Sequence, residues 1–224
     1  MSNLLNGHNF SLHAKPKKLI VLLHGYGDNA NNFLYLANAI DKEDWKAYYI
    51  ALNAPEIIPN YPTGNQWFDL YPNGIYITEA GPNEFNMVRN SILCTVEKIR
   101  LTINFHLHNL ELSLKDCILL GFSQGGMMTF EVGNYYAESL GGLAILSSQI
   151  IEQKIIKNES LKKTPIFISH GDQDNILDID NFYQSINYLK KNNCNFESHE
   201  LKGDTHTNST KAIHLLQQFI KKNI

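Results

Sequence analysis

The sequence lacks the apolar segments that mark membrane and secreted proteins. Its longest early apolar run, residues 19–23, ends at His24 and Gly25, whereas a membrane-spanning helix needs roughly 20 such residues. The first thirteen residues have no basic region followed by an apolar one, so no secretory signal is predicted. We therefore expect a cytoplasmic protein with no transmembrane segment.

The chain also has little excess charge and few cysteines. Nineteen Lys and Arg stand against 22 Asp and Glu, for a formal net charge of −3, whereas binding to a phosphate backbone needs a basic face. Cys94, Cys117 and Cys194 show no C-x-x-C spacing, which favours reduced thiols that pack as small apolar residues. These absences predict no nucleic-acid partner, no disulfide framework and no zinc site.

The overall composition is typical of an ordinary globular domain. The 224 residues are 43% hydrophobic and 18% charged, which is ordinary for a chain that buries its own core. No internal repeat, low-complexity tract or Ser/Gly linker divides the sequence. We expect residues 1–224 to form a single domain.

Apolar blocks of strand length alternate with stretches of helical period, which is typical of a parallel sheet covered by helices on both faces. The fold class is predicted as α/β. Strands are predicted at 18–23, 47–52, 117–120, 142–146, 165–169 and 196–201, with an antiparallel edge strand at 10–13. Helices are predicted at 31–40, 85–107, 124–138, 180–191 and 207–222.

The segment 53–84 departs from this alternation. It contains five prolines and a set of aromatic residues that we expect to be exposed, namely Tyr61, Trp67, Phe68, Tyr71 and Tyr76. Long loops in compact domains are commonly functional, and this aromatic content argues against disorder. The segment is predicted to form one wall of a binding cleft.

The most informative motif is a G-x-S-x-G sequence, from Gly121 through Ser123 to Gly125, which follows an apolar strand and opens a helical pattern. That context fits a nucleophile elbow, in which the serine lies on a crowded strand-to-helix turn that glycines relieve. The alternative is a Gly-rich turn with a capping serine. The flanking strand and helix favour Ser123 as a nucleophile.

A nucleophilic serine needs a base and an orienting acid. In the order expected for this architecture, the acid follows a later strand, where Asp172 and Asp174 both stand, and His206 follows the last strand. Asp178 and Asp180 fit better as surface charges or helix N-caps. The residues alone leave Asp172 and Asp174 open.

The other histidines suit a base less well. His24 and His170 each precede a glycine at a strand end, where a neutral histidine commonly braces a loop, so we interpret both as structural. His199 lies within a predicted strand, and His106 and His108 point to different faces of a helix.

The first clear strand ends in a Gly-bearing turn, residues 23–28, at the sheet edge where ligands bind in parallel sheets. Acyl transfer builds negative charge on a carbonyl oxygen, which two backbone N–H groups can stabilise. We expect these to be the amides of Tyr26 and Gln124. A tight connection with no such role is the alternative.

Five motifs occur in a familiar order: His24-Gly-Tyr-Gly-Asp28, Trp67-Phe-Asp69, Gly121-Phe-Ser-Gln-Gly-Gly126, His170-Gly-Asp-Gln-Asp174 and Gly203-Asp-Thr-His206. Together they resemble the phospholipase/carboxylesterase family of α/β-hydrolases, which includes the acyl-protein thioesterases, from about residue 18 to the C-terminus. The resemblance implies an α/β-hydrolase fold, a Ser123–His206–Asp174 triad, and an oxyanion hole at Tyr26 and Gln124.

The resemblance further implies that the Trp67 loop borders the acyl-binding cleft, with Trp67, Phe68, Ile176 and Leu177 as substrate contacts. It implies hydrolysis of short- to medium-chain acyl esters, and for some members of lysophospholipids or S-acylated proteins. It implies no cofactor, and it implies pairing as a homodimer. A metal is not expected, because Asp172-x-Asp174 lacks the further ligands of a calcium loop.

Three features depart from the family pattern. Position 26 is Tyr where the animal thioesterases usually have Leu, and Asn175-Ile-Leu-Asp178 replaces a Val-Val-Pro type of sequence. Residues 149–164 match no family motif.

Two alternatives to a broad acyl esterase stay open. One is a hydrolase with a narrow small-molecule ester or lactone substrate, and the other is a catalytically silent scaffold that binds a ligand in the cleft.

Overall fold

A computed structural model describes residues 3–59, 61–77, 79–151 and 156–224. Seven strands form one sheet in the order β1-β3-β2-β6-β7-β8-β9, parallel except for β1, which is antiparallel to its neighbour. A separate antiparallel hairpin consists of β4 and β5. The strands are β1 (Gly7–Phe10), β2 (Lys18–Leu23), β3 (Ala47–Leu52), β4 (Glu56–Ile58), β5 (Tyr61–Gln66), β6 (Cys117–Phe122), β7 (Gly142–Leu146), β8 (Ile166–Gly171) and β9 (Phe196–Leu201).

Helices cover both faces of the sheet. They are α1 (Ala30–Phe33), α2 (Tyr35–Ile40), α3 (Pro82–Asn109), α4 (Gln124–Gly133), α5 (Glu159–Lys163), α6 (Ile179–Lys191) and α7 (Thr210–Asn223). Buried residues of α1, α2 and α7 share one core cluster, and those of α3, α4 and α6 share the other. Among the residues that the structure describes, no helix is long and apolar enough to cross a membrane.

The central strands are apolar along their whole length because successive side chains enter opposite cores. In β2, Leu19, Val21 and Leu23 pack on the α3–α4 side, whereas Ile20 and Leu22 pack on the α1–α7 side. All five side chains are completely buried. Each contributes roughly 1.5–3 kcal/mol through removal from water, so this short strand alone anchors both layers.

The α/β prediction is confirmed, with local shifts. The edge strand is Gly7–Phe10 rather than 10–13, because the Ser11 hydroxyl takes the next ladder partner by donating to Ala47 O at 3.0 Å. The helix predicted at 124–138 ends at Gly133. There the side-chain amide of Asn158 donates to the carbonyls of Asn134 and Tyr136 at 2.7 and 2.9 Å, and so stabilises non-helical backbone.

Segment 53–84 was predicted as a long loop, but it contains the β4–β5 hairpin. Trp67 and Phe68 are completely buried, so the expectation that they are exposed is wrong. They belong to the α3–α4 core, whereas Tyr61 and Tyr71 are exposed and Tyr76 is half-buried. Residues 149–164, which match no family motif, contain α5. Within this stretch, residues 152–155 lie outside the described residues.

The three cysteines are free thiols, as predicted. Cys117 is a buried core residue, and burial raises the pKa of its thiol well above the ordinary value. Cys94 is exposed, so the expectation of apolar packing is wrong at that position.

Candidate active site

Ser123 lies between β6 and α4 in a conformation that few residues adopt. Its φ and ψ are 53° and −121°, which is strained backbone for a non-glycine residue. Gly121 and Gly125 make this turn possible. A Cβ on Gly121 would collide with the carbonyl of Gly125, and one on Gly125 would collide with the carbonyl of Leu23. The G-x-S-x-G spacing therefore reflects close backbone approach on both sides of the serine.

Hydrogen bonds around its backbone hold Ser123 in this conformation. Its N–H donates to Leu146 O at 2.9 Å, and its carbonyl accepts from Gly126 N at 2.9 Å and from the Ser148 hydroxyl at 2.6 Å. Ser148 follows β7 and is completely buried. Sequence reasoning missed this residue, because no motif links the end of β7 to the elbow.

His206 and Asp174 meet at the carboxyl edge of the sheet. Nδ1 of His206 lies 2.7 Å from Oδ2 of Asp174, and the Asp174 side chain has no exposed surface. Asp172 points elsewhere and accepts from Gly203 N at 2.6 Å, which ties the β8 loop to the loop carrying His206. Asp178 caps α6 as expected, accepting from Asp180 N at 2.8 Å. The structure therefore places Asp174, and not Asp172, beside His206.

The carboxylate of Asp174 is held by donors on both oxygens. Oδ1 accepts from the amides of Ile176 and Leu177, both at 2.9 Å. Burial by itself would raise the pKa of Asp174, but the hydrogen bonds from His206 and from these two amides outweigh it and hold the pKa below the ordinary value. Asp174 is therefore an anion at neutral pH, able to stabilise an imidazolium.

His170 is a second histidine beside Asp174. Its ring is completely buried, and its Nε2 lies 2.8 Å from Leu177 O and 3.3 Å from Asp174 Oδ2. A single N–H on Nε2, shared between these two acceptors, stabilises the Asp174 loop. This agrees with the structural interpretation of His170. Sequence reasoning did not anticipate its contact with Asp174.

The turn that carries Tyr26 is anchored from beneath by buried polar contacts. The indole Nε1–H of Trp67 donates to His24 O at 2.8 Å, and His24 Nε2 accepts from Ala54 N at 3.1 Å. Burial lowers the pKa of His24, so the ring is neutral and can accept this bond. His24 is therefore structural, as predicted.

Gln124 connects the elbow to the same region. Its buried side chain accepts from Trp67 N at 3.0 Å and donates to Phe68 O at 2.8 Å. Because Gln124 is the first residue of α4, the helix has no carbonyl one turn earlier to accept a hydrogen bond from its backbone N–H. The side chain of Gln124 thus fixes the Trp67–Phe68 loop, a role beyond the backbone one that the sequence suggested.

Ser123 and His206 open into the same cleft, whose volume is about 470 Å³. We call it the Ser123 cleft. It is lined by Gly25, Tyr26, Asp28, Leu70, Tyr71, Tyr76, Phe122, Ser123, Asn175, Ile176 and His206. The ring of Phe122 packs against His206 with centroids 4.7 Å apart, which limits the imidazole's orientation.

Of the four predicted substrate contacts, only Ile176 lines this cleft. Trp67, Phe68 and Leu177 are buried core residues, so the structure does not bring their side chains to it. The loops that carry them have no periodic pattern that would have indicated burial. Segment 53–84 was predicted to form a cleft wall, and its residues Leu70, Tyr71 and Tyr76 do line the cleft, although none of the three was predicted as a substrate contact. Asp28 carried no signal beyond its place in the Gly-bearing turn.

The arrangement contains the parts of nucleophilic acyl transfer: a strained serine, a histidine in the same cleft, a buried carboxylate on that histidine, and a free helix N-terminus beside the serine. Within the part of the chain that the structure describes, no group of three or more His, Cys, Asp or Glu is placed to hold a metal ion.

Comparisons with known proteins agree with this chemistry. A family model described as Phospholipase/Carboxylesterase matches residues 10–224. Acyl-protein thioesterase 1 of Saccharomyces cerevisiae is 26% identical over 240 residues, covering 98% of this chain and 99% of that protein. Carboxylesterase SOBER1 of Arabidopsis thaliana is 26% identical over 220 residues, covering 93% and 91%. The crystal structure of esterase PE8 has the same fold, with a TM-score of 0.87 at 23% identity and coverage of 99% and 100%.

Proposed function

The chain belongs to the phospholipase/carboxylesterase family of serine ester hydrolases, with its α/β-hydrolase fold, and on that premise we propose that it hydrolyses short- to medium-chain acyl esters through a Ser123–His206–Asp174 triad. The observation that carries the proposal is the Asp174-bound His206 in the same cleft as the strained Ser123. The activity is thus assigned to one cleft and three side chains.

In the acylation step, His206 Nε2 takes the hydroxyl proton of Ser123 as the serine oxygen attacks the acyl carbonyl. The N–H on His206 Nδ1 donates to Asp174 throughout, so the imidazole has the tautomer that leaves Nε2 free to act as a base. Asp174 then stabilises the imidazolium. The C–O bond breaks as His206 returns the proton to the departing alcohol.

The backbone amides of Tyr26 and Gln124 stabilise the negative oxygen of the tetrahedral intermediate. The Gln124 amide lies at the N-terminus of α4, where the helix dipole favours negative charge. The Tyr26 turn is held by the bond from Trp67 Nε1 to His24 O, so its amide needs little reorganisation during the reaction. Water then attacks the acyl-enzyme with His206 again as base, and the acid leaves.

Two of the related proteins are named for different leaving groups, a thioesterase and a carboxylesterase. The same triad serves both, because His206 protonates either an alcohol or a thiol. We extend the proposal to acyl thioesters and lysophospholipids as secondary substrates, since the cleft is open enough for a single acyl chain to lie beside Ser123.

Hydrolysis of a p-nitrophenyl ester series of increasing acyl length tests the proposal. Each methylene that the cleft buries contributes up to about 0.8 kcal/mol, or about fourfold in kcat/KM, until the cleft is full. Ser123→Ala should lower kcat by roughly 10⁴ or more. Ser198→Ala, an exposed serine in β9, is the matched control and should retain wild-type turnover. Wild-type rates in Ser123→Ala would refute the assignment.

A further inference from the structure

One wall of the Ser123 cleft consists of three tyrosines. The ring centroids of Tyr26 and Tyr71 lie 6.0 Å apart in an edge-on arrangement, and those of Tyr71 and Tyr76 lie 5.3 Å apart. Tyr26 and Tyr71 are 36% and 47% exposed, so ring surface is available to a ligand in the cleft. Burial, together with Tyr71 and Asp174, raises the pKa of Tyr76 to about 12. The phenol is therefore neutral under all ordinary conditions, and its ring keeps an electron-rich face.

Two carboxylates, Asp28 and Asp69, lie at this wall. Asp28 lines the cleft, and Asp69 lies beside it, with Oδ1 accepting from Tyr71 N at 2.9 Å. No Lys or Arg is among the described residues that line the cleft. Across residues 3–59, 61–77, 79–151 and 156–224, no basic side chain forms an ion pair with Asp28. The cleft thus combines aromatic faces with an uncompensated carboxylate.

Aromatic faces and a nearby carboxylate are the groups that bind quaternary ammonium ions in proteins, because the ring quadrupole and the anion both attract a cation that is weakly hydrated. An anionic substrate would instead lose hydration without gaining a partner. We propose that the Tyr26–Tyr71–Tyr76 wall and Asp28 make the enzyme select esters with an ammonium group close to the scissile bond, the class to which choline esters belong. This inference rests on the proposed function, whose triad cleaves the bond.

The reaction itself is unchanged by this selectivity. Ser123 displaces the amino alcohol from the acyl carbon, His206 protonates the departing oxygen, and water releases the acid. The ammonium group takes no part in the bond changes, so its effect is on binding of the substrate and of the transition state alike. The preference therefore appears in kcat/KM.

A matched pair of substrates measures the preference. Butyrylcholine carries a trimethylammonium group, and 3,3-dimethylbutyl butyrate is its neutral carbon isostere. We expect kcat/KM for wild type to be about tenfold higher for the cationic ester, the size of a partly desolvated cation–π contact. The ratio should fall as salt is added, because screening weakens the contribution of Asp28. Equal kcat/KM values for the two esters would overturn the inference.

Two variants assign the preference to the wall. Tyr71→Leu and Asp28→Asn should each reduce the ratio by about threefold or more. Tyr135→Leu, which changes a tyrosine of similar exposure two residues beyond the end of α4, should leave the ratio unchanged. A ratio that both wall variants leave at the wild-type value would also overturn the inference.

Binding to Ser123→Ala, measured by calorimetry, separates this inference from the proposed function. The two esters bind without being hydrolysed, and butyrylcholine should have the lower Kd by about tenfold. Equal Kd values overturn the cation preference, even if the wild type hydrolyses p-nitrophenyl esters. Selective binding by a wild type that cleaves no ester would instead refute the proposed function and leave the cation site standing.

Discussion

Asp174→Asn is the substitution that tests the proposed triad most directly, because it changes one atom of a fully defined environment. The new side chain can keep Oδ1 as the acceptor for the amides of Ile176 and Leu177, both at 2.9 Å in the wild type. Its NH₂ group then takes the place of Oδ2, which lies 2.7 Å from His206 Nδ1. A donor would therefore face the nitrogen that normally donates.

The imidazole must respond by moving its proton from Nδ1 to Nε2. In that tautomer Nε2 has no lone pair with which to take the hydroxyl proton of Ser123, and no buried anion stabilises the imidazolium. A loss of this kind costs about 10⁴ in kcat, which is about 5 kcal/mol of transition-state stabilisation. The fold loses the charge-assisted hydrogen bond to His206, about 1.5–3 kcal/mol, and the longer 3.3 Å contact between Oδ2 and His170 Nε2, while the two backbone bonds remain.

The assay compares kcat for p-nitrophenyl butyrate in Asp174→Asn and Asp172→Asn, with urea denaturation to confirm that both fold. Asp172 is the matched control because its oxygen accepts from Gly203 N, and an Asn oxygen can do the same. We expect Asp172→Asn to keep kcat within a few-fold of wild type. The reverse pattern, with Asp172→Asn the inactive variant, would show that the orienting acid is misassigned.

The remaining predictions concern stability, measured as the free energy of unfolding in urea. Gly125→Ala should cost about 3 kcal/mol, because its Cβ would meet the backbone carbonyls of Leu23 and His24, at the end of β2, which cannot move aside. The control Gly81→Ala, where a Cβ meets one flexible side chain, should cost less than about 1 kcal/mol. Burial lowers the pKa of His24 below its ordinary 6.5, so the unfolded chain binds more protons and stability falls as pH drops below about 6.5. His24→Gln should show a shallower decline than wild type, though not a flat one, because burial also lowers the pKa of His106. An unchanged pH dependence in His24→Gln would contradict this reasoning.

Much of the fold could be predicted from the sequence because buried parallel strands leave a strong local signal. The bounds of β2, β3, β7 and β9 match the predicted strands, since each is an apolar or alternating block with clear ends. The β4–β5 hairpin was missed because Pro62 and Gly64 make β5 look like a loop. The hairpin also contacts the Tyr26 turn, where Asn65 N donates to Asp28 O at 3.0 Å, a long-range contact that no local pattern records.

At the candidate site, the chemistry-bearing residue types and their order could be predicted, because the elbow at Ser123 and the loops after β8 and β9 have short, specific motifs. The sequence left Asp172 and Asp174 as alternatives, since two carboxylates two residues apart on a loop are equivalent in pattern. The three-dimensional packing places Asp174 against His206, Trp67 and Phe68 in the core, and Tyr71, Tyr76 and Asp28 in one cleft with Ser123. No local pattern predicts these placements, because burial and side-chain direction in a loop follow from what packs against it, and those partners lie dozens of residues away along the chain.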